Sequence, residues 1–212
     1  MKMTDIEKKL IADMIDVGNK MYLRGFVAAN DGNLSVRTPD GEHAIVTPTG
    51  VSKGGMTEDM FIKVRISDGA VIEGERKAST ESKMHLRLYR ENPEIGAVVH
   101  AHPLYATSFA IAREPLDAPI YPAAMMTLGV VPVTEYAPPG TEGVADSVAP
   151  FAKDSRALLL ASHGALTWAR DILTAWYRME ELENFAHITF NTKYVMKKAA
   201  EVPIIDRLPD KK

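Results

Sequence analysis

Two short apolar runs, each breaking off at a histidine and a turn-former, constrain this chain most: Ala97-Val98-Val99-His100-Ala101-His102-Pro103 and Leu158-Leu159-Leu160-Ala161-Ser162-His163-Gly164. Continuous apolar runs this short, bounded by Pro or Gly, predict buried strands. The imidazoles then belong at strand ends, where open α/β sheets place their chemistry. Residues i and i+2 of a strand share a face with side chains roughly 7 Å apart, so His100 and His102 can converge on one small cation. His163, from a neighbouring strand, would complete the three-nitrogen, one-open-position arrangement of catalytic zinc. Spacing alone also admits a second reading, in which each histidine is a hydrogen-bonded or half-exposed residue at a strand end. The pair on one apolar strand favours a shared partner, because two buried imidazoles without one would leave polar atoms unpaired. His43 near a hairpin turn, His85 in mid-helix and His187 in a long amphipathic helix are weaker candidates.

Composition narrows the chemistry. The chain has no cysteine, so any metal must be held by imidazole, carboxylate and water, which favours an open catalytic site over a closed structural one. The net charge is −3 and the basic residues are scattered, which argues against nucleic acid or an anionic membrane as partner. The expected partner is a small molecule or a second copy of the chain. The amino terminus has no apolar stretch of signal-peptide length, and nowhere do about 18 apolar residues run together; the expectation is a cytoplasmic protein. At 212 residues and 46% hydrophobic, one domain over residues 1–212 is expected, with a loose tail over about 202–212.

Thr4 and Glu7 form a capping box before Ile6, Leu10, Ile11, Met14, Val17 and Met21, an amphipathic helix stopped by Gly25. Leu34–Arg37 with His43–Val46, and Phe61–Ile66 with Ala70–Ile72, read as antiparallel strands across turn-forming residues. Ser79 and Thr80 are expected to cap a helix over about 81–91. The His-x-His strand follows, then a helix over Leu104–Ala112, a proline-rich stretch near 115–139, a helix over Thr141–Lys153, a strand over Ala157–Ala161, and a long helix capped by Asp171 that reaches about 199. Trp176, Tyr177, Phe185, Phe190 and Tyr194 on that helix serve either the core or a neighbouring subunit. The order is not the regular alternation of a doubly wound fold. It predicts an α/β protein of three layers, α/β/α, with a mainly antiparallel central sheet flanked by helices.

Three loops offer anion-binding donors: Asn30-Asp31-Gly32-Asn33, Thr47-Pro48-Thr49-Gly50, and Ser79-Thr80 before Glu81. Each alone is ordinary turn or capping chemistry. Taken with the histidines they carry a resemblance. Gly32-Asn33-Leu34-Ser35-Val36-Arg37, Thr47-Pro48-Thr49-Gly50, Ser79-Thr80-Glu81 with His85, Val99-His100-Ala101-His102-Pro103 and Ser162-His163-Gly164 are together similar to the class II sugar-phosphate aldolase family, which includes L-fuculose-1-phosphate aldolase and L-ribulose-5-phosphate 4-epimerase. The resemblance covers nearly the whole chain.

It implies that His100, His102, His163 and Glu81 hold one zinc ion per subunit, another divalent metal being an alternative, and that Glu81 is also the catalytic acid/base. Gly32, Asn33, Thr49, Gly50, Ser79 and Thr80 would take the substrate phosphate. The implied reaction is cleavage of a ketose 1-phosphate to dihydroxyacetone phosphate and an aldehyde through a metal-stabilised enediolate, with zinc as Lewis acid. A tyrosine from an adjoining subunit protonates the aldehyde oxygen in such aldolases; Tyr121 aligns with it, although its setting in Ile120-Tyr121-Pro122 also suits a packing tyrosine. A homotetramer with sites at subunit interfaces is implied as well. The family also holds decarboxylases of 3-keto sugar-acid phosphates and 4-epimerases; glutamate at position 81 favours the aldolase over the epimerase. Two departures bear on the sugar half of the substrate: nothing aromatic follows Tyr194, and Ser162 stands before His163 where the fuculose-phosphate enzyme has a second histidine.

Overall fold

Helix α1, Asp5–Leu23, begins where the sequence indicates. The Thr4 hydroxyl accepts from the Glu7 N–H at 3.3 Å, and the Glu7 carboxylate accepts from the Thr4 N–H at 2.8 Å, which satisfies two of the orphan donors of the first turn. The computed structural model describes residues 3–201. Ile11, Met14, Val17 and Met21 form the buried stripe, whereas Ile6 is exposed. In the first turn the inward position belongs to Glu7, whose carboxylate reaches Lys63.

Among the described residues seven strands form one sheet: β1 Asn33–Arg37, β2 His43–Val46, β3 Ile62–Arg65, β4 Val71–Glu73, β5 Ala97–Ala101, β6 Ala157–Leu160 and β7 Gly164–Ala169. Their order is β4-β3-β2-β1-β5-β7-β6, and every ladder is antiparallel. The sequence reading left β7 unassigned. Its six residues are all buried, so it lacks the polar alternation that marks a half-exposed strand, yet it lies between β5 and β6.

Alternation along each strand divides the core in two. Leu34, Val36, Ile45, Val99 and Leu159 face a layer made by α1, α3 (Leu104–Ala112), α4 (Pro122–Thr127) and α6 (Ile172–Thr189). Val46, Ile62, Val64, Val98, Leu158 and Leu166 face α2 (Ser82–Glu91) and α5 (Glu142–Val148). The three-layer α/β/α architecture with a mainly antiparallel sheet is therefore the observed one.

Details depart from the sequence reading. Ser79 and Thr80 do not cap α2; Glu81 is its N-cap, with no side-chain capping bond, and the Ser79 hydroxyl instead accepts from the Glu81 N–H at 3.3 Å. The proline-rich stretch contains α4, which Pro122 opens because the first helical turn does not use that N–H. The helix expected over 141–153 gives way at Val148 to a 3-10 turn, Ala149–Phe151, with Pro150 unable to donate. Asp171 caps α6, accepting from the Thr174 N–H at 2.8 Å, but regular α geometry ends at Thr189 and a π-helical turn, Phe190–Val195, follows. On this helix Trp176 and Phe185 are core residues, while Tyr177, Phe190 and Tyr194 are exposed. The tail expected from 202 lies outside the described residues. No described helix is long and apolar enough to cross a membrane.

Candidate metal centre

Register assembles the site. β1 pairs with β5 so that Asn33 stands opposite His100, and both lie on the α2 face of the sheet. His102 follows β5 directly, and its N–H donates to the Phe26 carbonyl at 2.9 Å. His163 sits in the β6–β7 turn beside Ser162, whose φ is +56°, and the pairing of Ala101 with Ala165 brings that turn to the same end of the sheet. Two glycines are dictated here. A Cβ on Gly164 would stand 2.4 Å from His102 Cδ2, and one on Gly32, at φ +71°, would stand 2.8 Å from the His100 carbonyl oxygen.

The three imidazoles converge. Their ring centroids are 4.7 to 5.1 Å apart, and one nitrogen from each lies within 4.8 Å of the others. His100 Nδ1 lies 2.9 Å from the Ala165 carbonyl oxygen, an acceptor only, so Nδ1 carries the proton and Nε2 presents a lone pair. His102 Nδ1 lies 3.4 Å from the Asp31 carboxylate, which favours the same tautomer. His100 Nε2 and His102 Nε2 then face each other at 3.2 Å as two lone pairs. A cation between them resolves that opposition.

Glu81 closes the group. Its Oε1 is 3.0 Å from His163 Nε2 and its Oε2 is 3.4 Å from His100 Nε2, while Oε2 accepts from Asn33 Nδ2 at 2.6 Å. Burial alone would raise the Glu81 carboxyl; its electrostatic pairing with His100, the His163 hydrogen bond and the Asn33 amide outweigh it and hold the group well below the usual carboxylate range. Burial pushes His100 and His102 below the ordinary imidazole value, and repulsion from neighbouring imidazoles adds to it. A neutral His100 and His102 beside an ionised Glu81 are the protonation states that a divalent cation requires. This sulfur-free donor set suits zinc or another first-row divalent metal.

A cleft of about 290 Å³ opens above these groups, lined by Gly32, Asn33, Thr49, Gly50, Ser79, Thr80, Glu81, His102 and His163, among others. All six residues expected to take phosphate are therefore brought to one place. The Thr49 N–H donates to the Lys77 carbonyl at 3.0 Å and the Ser79 N–H to the Thr47 carbonyl at 3.2 Å, which ties the loop after β2 to the segment before α2. His100, fully buried, forms the floor. Tyr121 is not part of this lining: it precedes α4, and its hydroxyl accepts from Asn184 Nδ2 at 3.3 Å. The lining includes no lysine or arginine.

Asp31, Pro139 and Gly140 also line the cleft and were not singled out from the sequence. Asp31 stands in a turn where an acidic residue is commonplace, and only its approach to His102 reveals more. Beneath α2, one helical turn past Glu81, the Ser35 hydroxyl joins His85 Nδ1 at 2.8 Å and the Tyr89 hydroxyl at 2.7 Å. Burial holds the His85 imidazole down to about 4.

The profile of the class II aldolase and adducin N-terminal domain family matches residues 12–190. A 3-oxo-tetronate 4-phosphate decarboxylase of Escherichia coli is 36% identical over 190 residues, covering 87% of this chain and 88% of that protein. An L-fuculose phosphate aldolase of Methanococcus maripaludis is 32% identical over 180 residues, covering 85% and 96% respectively. Among solved structures, an L-fuculose 1-phosphate aldolase superposes with a TM-score of 0.86 at 34% identity, over 92% of this chain and 91% of the other.

Proposed function

This chain belongs to the class II aldolase and adducin N-terminal domain family, and we propose that within it the protein is a metal-dependent lyase that cleaves a ketose 1-phosphate, of the L-fuculose 1-phosphate kind, to dihydroxyacetone phosphate and an aldehyde. The observation that carries this reading is one cleft with three imidazoles and a carboxylate at its floor and N–H and hydroxyl donors around it. Such donors hold a phosphate dianion without a basic patch.

His100, His102, His163 and Glu81 are the residues that would hold the metal. A bound divalent cation, zinc being the expected one, supplies Lewis-acid stabilisation of negative charge at the substrate carbonyl oxygen. Aldol cleavage breaks the bond between the carbon beside that carbonyl and the carbon that becomes the aldehyde, and the electron pair remains on the three-carbon phosphate half as an enediolate. Glu81 then returns a proton to that carbon. Its hydrogen bond to His163 and its place beside His100 hold its carboxyl low in the resting site; once substrate draws it away from them its basicity rises, and the proton it delivers is taken from solvent. Asn33 keeps the carboxylate in place through its amide. The hydroxyl proton released as the aldehyde forms leaves through the Tyr121 hydroxyl to solvent, the reverse of protonating the aldehyde oxygen in the condensation direction. Tyr121 stands outside its own chain's cleft, so this role belongs to a neighbouring copy, in keeping with a homotetramer whose sites lie at subunit interfaces.

One comparison favours a second reading, the 36% identity to a 3-oxo-tetronate 4-phosphate decarboxylase. Loss of CO₂ from a four-carbon 3-keto acid phosphate leaves the same three-carbon enediolate for Glu81 to protonate, and no tyrosine is needed. That substrate adds a carboxylate to the phosphate in a cleft that has no basic lining and already holds Asp31. The aldol substrate fits the charge better.

Both reactions yield dihydroxyacetone phosphate, so the co-product decides. Zinc-loaded protein is offered L-fuculose 1-phosphate and, separately, 3-oxo-tetronate 4-phosphate, each with and without chelator. Chelator-sensitive release of aldehyde is expected to exceed release of CO₂. The reverse order would move the assignment to decarboxylation, and no product from either substrate would remove the lyase reading.

A further inference from the structure

Among the described residues two lysines are buried, and only one of the two has a counter-charge. Lys63 meets the Glu7 carboxylate at 2.5 Å, an ordinary buried ion pair. Lys53 is 1% exposed, and no carboxylate lies within ion-pair distance of it among the described residues. Its ammonium donates instead to two backbone carbonyls, Asn30 at 3.1 Å and Val51 at 2.5 Å. The first belongs to the loop that delivers Gly32 and Asn33 to the cleft, and the second directly follows Thr49 and Gly50. The turn bearing Lys53 is pressed against α1: a Cβ on Gly18 would stand 2.9 Å from the Lys53 carbonyl oxygen. The ammonium is thus fixed from below and joins the two loops from beneath.

A lone buried ammonium is an expensive way to join loops, since burying a charge without a counter-ion destabilises a fold. Burial draws the Lys53 ammonium down to about 8, and the opposing pulls come from Asp31 and Glu81, the two acidic groups of the cleft. Its field therefore reaches the place where a dianion would sit, where the lining offers no basic side chain.

We propose that Lys53 is a positioning residue for the substrate's phosphoryl group, fastening the Gly32-Asn33 loop to the Thr49-Gly50 loop and supplying from below the positive charge that the cleft wall lacks. The proposal rests on the reading of these loops as the phosphate site. It is independent of the choice between aldol cleavage and decarboxylation, because dihydroxyacetone phosphate is common to both.

The test is calorimetric titration of the metal-loaded full chain with dihydroxyacetone phosphate and with dihydroxyacetone, which lacks the phosphate, for wild type, Lys53→Met and Lys53→Arg. Lys53→Met should weaken dihydroxyacetone phosphate on the order of tenfold. Lys53→Arg should restore most of that affinity, and dihydroxyacetone affinity and metal content should stay unchanged throughout. Equal binding of the phosphate by Lys53→Met and wild type, or equal weakening of both ligands, would overturn the proposal. A wild type that does not prefer the phosphorylated ligand would show the loop assignment itself to be at fault, before any variant is compared, and Lys53 would fall with it. If Lys53→Met does not fold, Lys53→Gln, which keeps N–H donors without charge, is judged by the same criteria.

Discussion

The two faces of the sheet solve opposite problems with the same degree of burial. Val99 and His100 are adjacent on β5 and both are fully inaccessible to solvent, yet Val99 meets the apolar layer of α1, α3 and α6 while His100 points into the metal centre. Around it the α2 face carries Asn33, Ser35, His85 and Tyr89, a polar seam in an otherwise hydrophobic interior. Burying polar groups stabilises a fold only where each finds its partner. Here the Asn33 carboxamide oxygen and His85 Nε2 have none. The α1 face is thus built for stability and the α2 face, at the β1–β5 end, for chemistry.

The largest effect should follow removal of the floor of the site. His100→Ala should lower metal affinity by more than about a hundredfold, since the outer partners of metal ligands alone are worth roughly 10- to 100-fold, and turnover should fall with it. Elemental analysis and the aldehyde assay check this; a metal-free His100→Ala that still turns over would break the contrast between the faces. Met179→Ala, at a fully buried position of α6 in the apolar layer, should do the reverse. About 2–5 kcal/mol of stability should be lost in urea unfolding, while the folded fraction keeps wild-type metal content. Loss of metal from that variant would mean that the faces are not separable.

The same contrast explains how much of the molecule is legible in its sequence. Elements with a local signature are readable: the capping box starts α1, Pro103 starts α3, and the turn at Thr38–Glu42 separates β1 from β2. β7 is not, because burial on both sides removes the alternation that would mark it. The histidine pair at the end of β5 is visible as a spacing, but its meeting with His163, Glu81 and three donor loops depends on register and on the crossing of loops distant in sequence; no local pattern contains that, and the resemblance to a family supplied it. Lys53 was invisible for a different reason: a lysine beside Gly54 and Gly55 reads as an exposed turn residue, and only the packing of that turn under the cleft makes it a buried cation.

The smallest effect separates the polar seam from the metal centre it adjoins. His85 is fully buried and neutral, held to about 4 against an ordinary imidazole value of about 6.5. As pH falls through 6.5 the unfolded chain takes up a proton that the folded His85 refuses, so stability declines across the window from about 6.5 to 4 and, for this group, no further below it. The slope approaches about 1.4 kcal/mol per pH unit, and the total is roughly 3 kcal/mol. Glu81 and Asp40 are carboxylates held low; their contributions are lost only below their unfolded values near 4, in a separate and more acidic window. His100 and His102 lie low for the same reason as His85 and add to its slope, so the wild-type profile alone does not isolate one residue. His85→Gln does: it keeps a polar group beside Ser35 and removes the titration. Urea midpoints at pH 7, 6 and 5 should show the stability gap between wild type and His85→Gln narrowing as pH falls, and parallel profiles would show that His85 is not the neutral buried imidazole of this seam.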